Sequence, residues 1–139
     1  MQNKSKVRVG IIGCGNISQA YFNGAKLFEV LEVVACADLN PEAAKAKAAE
    51  NGCVAQTVDE LLANPDVDLV VNLTIPSVHA EVSLAALNAG KHVHCEKPLA
   101  VHLDDAKKVI DLAGEKGLLV GCAPDTFLGA GLQTARKMV

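Results

Sequence analysis

Short apolar runs rich in Val, Ile, Leu and Ala alternate along the chain with longer stretches whose apolar residues recur at helical spacing. Val7 to Ile12 reads as a buried strand, followed by a glycine turn and a helix from about Ile17 to Phe28. Glu32 to Ala37 is a second strand ending at Asp38. Asn40-Pro41-Glu42 then opens a helix with a capping residue, a proline at its first position and an acid in its first turn. Asn51-Gly52 stops that helix. A short strand near Cys53 to Ala55 precedes Thr57-Val58-Asp59-Glu60, which has the form of a capping box and predicts a brief helix to Ala63. Asp68 to Leu73 is the fourth strand. Ser77 is placed to cap a helix running to Asn88-Ala89-Gly90, and His92 to Cys95 is the fifth strand. Leu103, Ala106, Val109, Ile110 and Ala113 mark a helix from His102 to Glu115, which Gly117 ends before a sixth strand, Leu118 to Cys122.

Strands that alternate with helices predict an α/β fold, a doubly wound parallel sheet of about six strands between two helical layers. Right-handed crossovers favour the strand order 3-2-1-4-5-6. The 139 residues suit one domain, and no internal repeat or low-complexity linker interrupts them. Leu132 to Val139 looks like the opening of a further helix with no stop signal, which points to a fragment of a longer chain.

Composition narrows the partners. Net charge is -3 without a basic run, and aromatics are 3% with no Trp, so neither phosphate-backbone binding nor base stacking is expected. No stretch is long enough to span a bilayer, and the polar, basic start at Met1 to Lys6 is not a secretory signal; a soluble, cytoplasmic protein is expected. The five cysteines, at 14, 36, 53, 95 and 122, form no CxxC pair. They read as reduced thiols that act as small hydrophobes. His92 and His94 alternate along a strand and His102 begins a helix, so no metal is expected.

Candidate chemistry begins at Gly13-Cys14-Gly15-Asn16-Ile17-Ser18, directly after a strand and opening a helix. Gly13 permits a tight turn and Gly15 a close backbone approach to a pyrophosphate. Free N–H groups and the positive dipole end of the helix face the same place. Ser18 stands where a third glycine usually gives close helix–strand packing. Asp38 ends the second strand at the distance expected for an acid that binds a ribose. Its carboxylate accepts from both hydroxyls and repels a 2′-phosphate, and Leu39 after it offers no positive charge, so NAD is expected rather than NADP. The other reading of Asp38 is a capping residue before Asn40-Pro41. S-adenosylmethionine enzymes share the glycine loop and the acid, but Glu96-Lys97-Pro98 at the carboxyl end of the fifth strand points elsewhere. Such a position faces the ligand crevice of an open α/β sheet. A lysine buried beside a cofactor can exchange a proton with a substrate hydroxyl. The alternative, an exposed Glu–Lys ion pair of little consequence, is equally compatible with the spacing.

Three segments resemble the Gfo/Idh/MocA oxidoreductases: Gly13 to Ser18, Thr74-Ile75-Pro76-Ser77-Val78-His79, and Ala89-Gly90-Lys91-His92-Val93-His94-Cys95-Glu96-Lys97-Pro98-Leu99. The resemblance covers essentially the whole chain. It implies a Rossmann domain at 1–123, with 124–139 starting the connection to an absent substrate domain. It implies an NAD(P)-dependent dehydrogenase acting on a sugar- or polyol-like alcohol, in which Lys97 assists proton transfer. The rival reading is a non-catalytic NAD-binding sensor or scaffold. Gly13, Gly15, Asn16, Ile17, Asp38 and Leu39 then fall on the adenosine and phosphate side of the cofactor. Thr74, Ile75 and Pro76 line its pyrophosphate and nicotinamide side with His79 nearby, and Glu96 and Lys97 approach the nicotinamide ribose. The resemblance further implies a cis Lys97–Pro98 bond, and a homo-oligomer when full length. The chain departs from the family after the sixth strand, where Gly121 to Phe127 replaces an Asn- or Arg-rich segment. Asp125 is the polar group there, as a substitute contact or as a turn residue. The substrate-covering domain, which supplies a further acid/base in relatives, is not in the sequence.

Overall fold

The computed structural model describes residues 6–139; the basic start that argues against a secretory signal lies largely at 1–5, outside the described residues. Six strands run parallel in one sheet: β1 (Val7–Ile12), β2 (Leu31–Ala37), β3 (Val54–Gln56), β4 (Leu69–Asn72), β5 (His92–Cys95) and β6 (Val120–Cys122). Their order is β3-β2-β1-β4-β5-β6, as the alternation predicts. The helices are α1 (Ser18–Ala25), α2 (Pro41–Asn51), α3 (Val58–Ala63), α4 (His79–Asn88), α5 (Leu103–Lys116) and α6 (Ala130–Met138).

Local chemistry sets most of the boundaries. The Asn40 side chain accepts from Glu42 N at 3.1 Å and Pro41 fills the first turn of α2; Gly52, at φ 75°, closes it. Thr57 and Glu60 exchange both bonds of the capping box that starts α3 (3.2 and 2.8 Å). Ser77 does not cap α4. Pro76 instead enters a single 3₁₀ turn over Pro76–Val78, with Val78 N donating to Ile75 O at 3.0 Å, and the α-helix begins only at His79. The first helix is also shorter than its pattern suggests, because tight bonds from Leu27 N to Gly24 O and Phe28 N to Ala25 O turn the chain out after Ala25.

Each face of the sheet carries its own core. Val9, Ile11, Cys36 and Val71 pack with Phe22 of α1 and Ala44 and Ala48 of α2. Ile12, Ala35, Val70 and Val93 pack on the other face with Leu61, Leu87 and Val109 of α3, α4 and α5. The crossovers change sides between β1 and β4, and a crevice opens where their carboxyl ends part. Beside α1, an apolar groove of about 470 Å³ runs over Val9, Ile11, Leu69 and Val71. Tyr21 and His94 also line it. Every residue of α6 is exposed. Asp125 begins a turn in which its carbonyl accepts from Leu128 N at 3.0 Å.

The amino edge of the sheet is closed by polar groups that the sequence pattern does not reveal. Arg8 Nε and Nη2 donate to the two oxygens of Asp68 at 3.0 and 2.8 Å, and Arg8 N adds a third bond at 2.9 Å. Lys91, buried to 8% exposure, donates to the carbonyls of Asn64 and Val67 at 2.7 and 2.8 Å. The Arg8 hydrogen bonds hold the Asp68 carboxyl down at about 2, from an ordinary 3.8. A depressed acid stabilises the fold above its unfolded pKa and loses that contribution as pH falls through its folded value. The full linkage is worth about 2.5 kcal/mol, which solvent screening of this half-exposed pair cuts to about 1 kcal/mol. Denaturant titrations should therefore show wild-type stability dropping between about pH 4 and pH 2, and Asp68→Asn flattening that limb by about 1 kcal/mol. An unchanged acid limb in Asp68→Asn refutes the assignment.

Candidate functional site

The glycine loop is held from three sides. Gly13 has φ 103°, and a Cβ on it would stand 2.6 Å from the backbone carbonyl carbon and oxygen of Leu73 at the end of β4. Only glycine fits there. Above Gly15, by contrast, nothing lies within 4 Å of an added Cβ, so the backbone is open to a ligand. Ser18 is fully buried, and its Oγ donates to Gly15 O at 2.6 Å. The residue in the third-glycine place thus fastens the loop to the first turn of α1. That turn contains no acidic residue and no side chain caps it, while Ser18 N and Ala20 N donate to Gly15 O and Ile17 O at 3.1 and 3.0 Å.

Asp38 follows β2 and braces the loop across the crevice. Its Oδ2 accepts from Cys14 N at 2.7 Å and its Oδ1 from Asn40 N at 2.8 Å. Asn40, not Asp38, caps α2, so the capping reading of Asp38 falls. Leu39 is 95% exposed beside it.

The second cluster lies at the carboxyl ends of β4 and β5. Ile17, Leu73, Thr74, Pro76, His79, Glu96 and Lys97 line a cavity of about 270 Å³. Asn16 and Ile75 are exposed and do not line it. Asn72, fully buried in an otherwise apolar strand, organises the floor. Its Nδ2 donates to His79 O at 2.9 Å and Ser83 Oγ at 3.1 Å, and its Oδ1 accepts from Thr74 Oγ1 at 2.7 Å. The His79 ring, 1% exposed, bridges two loops, with Nδ1 2.6 Å from Pro98 O and Nε2 3.0 Å from Thr74 O. His79 is therefore a brace beneath the cavity.

Glu96 and Lys97 have separate partners. Tyr21 of α1 donates its hydroxyl to Glu96 Oε1 at 2.7 Å, and Lys97 N donates to Glu96 Oε2 at 2.9 Å. Burial, reinforced by Glu96, pushes the Tyr21 hydroxyl pKa up, which keeps it a donor. Among the described residues Lys97 Nζ makes no ion pair, so the Glu–Lys pair considered above does not form. The Lys97–Pro98 bond is cis. Lys97 is exposed at the lip of the cavity. Tyr21, Asn72 and Ser83 are site-supporting residues that sequence reasoning missed. Tyr21 is the chain's single tyrosine, and Asn72 interrupts the hydrophobic run of β4; these were the available signals.

No group of three or more His, Cys, Asp or Glu gathers to hold a metal ion among the described residues, and none of their helices is long and apolar enough to cross a membrane.

A family model described as "Oxidoreductase family, NAD-binding Rossmann fold", Gfo/Idh/MocA, matches residues 7–123. The chain belongs to this family. It is an NAD(P)-binding Rossmann domain of the Gfo/Idh/MocA type, as its resemblance implied. It is 41% identical over 116 residues to 1,5-anhydro-D-fructose reductase of Ensifer adhaerens, covering 82% of this chain and 35% of that relative. The chain thus spans about a third of the length of that curated relative. It is similar in structure to biliverdin reductase from Synechocystis sp. PCC 6803 in complex with biliverdin and NADP+ (TM-score 0.86, 37% identity, 94% of this chain and 42% of that one). It is likewise similar to the WlbA dehydrogenase from Bordetella pertussis in complex with NADH and UDP-GlcNAcA (TM-score 0.87, 30% identity, 95% and 41%). Both nicotinamide dinucleotides therefore occur among its structural neighbours.

Proposed function

We propose that this chain binds NAD in preference to NADP and forms the cofactor half of a dehydrogenase acting on a sugar- or polyol-like secondary alcohol. The observation that carries the cofactor choice is Asp38, a carboxylate at the end of β2 with exposed Leu39 and no basic side chain following it. A 2′-phosphate placed there meets a negative charge without compensation. The open space above Gly15 fits a pyrophosphate, held by the N–H groups of Gly15, Asn16 and Ile17, with Gly13 making the turn beneath it. Thr74, Ile75, Pro76, His79 and Glu96 shape the nicotinamide end. When bound, the dinucleotide supplies hydride chemistry. The chain's part is to orient it and, through Lys97 Nζ, to hold or accept the proton of a substrate hydroxyl at the cavity lip. The polyol class rests on the sugar chemistry named for the Ensifer reductase and the Bordetella dehydrogenase.

The same reading divides the chain into a dinucleotide unit at 1–123 and a connection at 124–139 toward a substrate domain, with assembly into a homo-oligomer. It describes a cytoplasmic enzyme with a small-molecule substrate, no nucleic-acid partner and no resident metal. Fluorescence titration tests the cofactor choice. Wild type should bind NADH more tightly than NADPH. Asp38→Ala should weaken NADH by about 10- to 100-fold, the loss of one or two hydrogen bonds to a charged group, and weaken NADPH much less. Equal NADH affinity in the two proteins, or a wild type that prefers NADPH, removes Asp38 from the site.

A further inference from the structure

Three thiols crowd together beside the glycine loop, outside the cavity of Lys97. Cys14 lies within that loop, Cys36 within β2 and Cys53 just before β3. The register of β2 on β3 pairs Cys36 with Ala55, which brings Cys53 alongside, and Cys14 Sγ turns back to Ala37 O at 3.6 Å. Cys36 stands between them: Cys14 and Cys36 share one core cluster with Cys53 packed against it, and Cys36 Sγ turns to Ala44 O at 3.4 Å. All three are free. Cys36 is fully buried and Cys14 nearly so, whereas Cys53 is half-buried and meets solvent. Three adjacent thiols exceed what packing requires of a small apolar residue, since alanine fills such places elsewhere in the same core, at Ala44 and Ala48.

We propose that Cys14, Cys36 and Cys53 form an oxidation site at which a hydroperoxide installs a disulfide on Cys36, and that transfer of this crosslink to Cys14 disables the dinucleotide loop. The Cys53 thiolate attacks the terminal oxygen of the peroxide. The O–O bond breaks, the sulfur is oxidised by two electrons to a sulfenic acid, and the peroxide is reduced to an alcohol or, from hydrogen peroxide, to water. Cys36 sulfur then displaces the sulfenic oxygen, its own proton leaving with that oxygen as water, and the Cys36–Cys53 bond forms. In total two thiols and one hydroperoxide give one disulfide, one alcohol and one water. Cys14 thiolate can next attack Cys36 sulfur and expel Cys53 thiolate, an exchange without net oxidation. The chemistry of the neighbours supports this order. The neighbouring Cys36 sulfur lowers the pKa of Cys53 and of Cys14, and the same two neighbours raise that of Cys36. A Cys14–Cys36 bond pulls on the residue whose N–H is fastened to Asp38. The effect on binding rests on the NAD reading above; the crosslink itself does not.

The test treats the 139-residue chain with one equivalent of hydrogen peroxide, alkylates the remaining thiols, and maps disulfides by mass spectrometry without reduction. The expected result is Cys36 linked to Cys53 or Cys14, with Cys95 and Cys122 alkylated, reversal by dithiothreitol, and loss of the crosslink in Cys36→Ala. NADH affinity should fall at least about tenfold in the Cys14–Cys36 form and return on reduction. Wild type in which Cys36 stays alkylatable, or in which Cys53 proceeds to sulfinic acid without a crosslink, overturns the site, whether or not the Cys36 variant folds. A Cys14–Cys36 crosslink with undiminished NADH affinity overturns the loop effect. A reduced wild type that never binds NADH counts against the cofactor reading instead, while the mapped crosslink still decides the oxidation site.

Discussion

Lys97→Ala, assayed in a chain that includes a substrate domain, should lower kcat by about 10²- to 10⁴-fold while NADH affinity stays within about threefold. The effect is placed on turnover because Lys97 Nζ has no ion-pair partner among the described residues, leaving no salt link for the substitution to break. Its neighbour Glu96 is already held by Tyr21, so the backbone of the cavity should survive the change. Lys97→Arg should not restore the rate, since a guanidinium keeps its proton throughout the accessible pH range. The pH–rate profile supplies a readout that a purely structural lysine would not move: in the alanine variant the limb due to this group should vanish. Turnover unchanged in Lys97→Ala removes the lysine from the chemistry and favours the sensor or scaffold reading.

Gly13→Ala is expected to destabilise the fold by about 2–6 kcal/mol, adding a disfavoured backbone conformation to a clash. The conformation is φ 103°, and the clash is with the Leu73 carbonyl, which directly follows central strand β4 and has little room to retreat. Gly15→Ala makes the informative contrast. Its methyl meets nothing within 4 Å, so stability should change by less than about 0.5 kcal/mol. NADH affinity should nevertheless fall by at least about tenfold, because the methyl enters the space assigned to the pyrophosphate. Urea unfolding followed by NADH titration of both variants measures the two effects separately. A Gly13 variant within about 1 kcal/mol of wild type, or a Gly15 variant that binds normally, contradicts the division of labour between the two glycines.

The parts of this fold that could be read in the sequence are those whose causes are local. The Thr57–Glu60 box, the Asn40 cap and the Gly52 and Gly117 stops each lie within a few residues of the groups they satisfy. Alternation of apolar strands and helices then left the observed sheet order as the favoured arrangement. Local reading failed where two solutions compete over the same residues, as at Pro76-Ser77, where a 3₁₀ turn displaces the helix start that Ser77 suggests. It failed more broadly for contacts between distant segments. Tyr21 and Glu96 are 75 positions apart and Arg8 and Asp68 are 60, and no periodicity links them. Of the candidate site, Ile17, Thr74, Pro76, His79, Glu96 and Lys97 meet around one cavity. Gly13, Gly15 and Asp38 form the neighbouring loop, and Asn16, Ile75 and Leu39 stand exposed at the margins.

The Arg8–Asp68 pair and Lys91 sit at one end of the strands, and the glycine loop and Lys97 at the other. A strand of this length puts roughly 13–20 Å between the two ends, beyond the range at which substitutions usually couple. Changes at the two rims should then combine additively. A lineage carrying this domain can drift in cofactor preference or substrate at the upper rim while the lower rim keeps the chain folded, and an engineer can treat the two as independent dials.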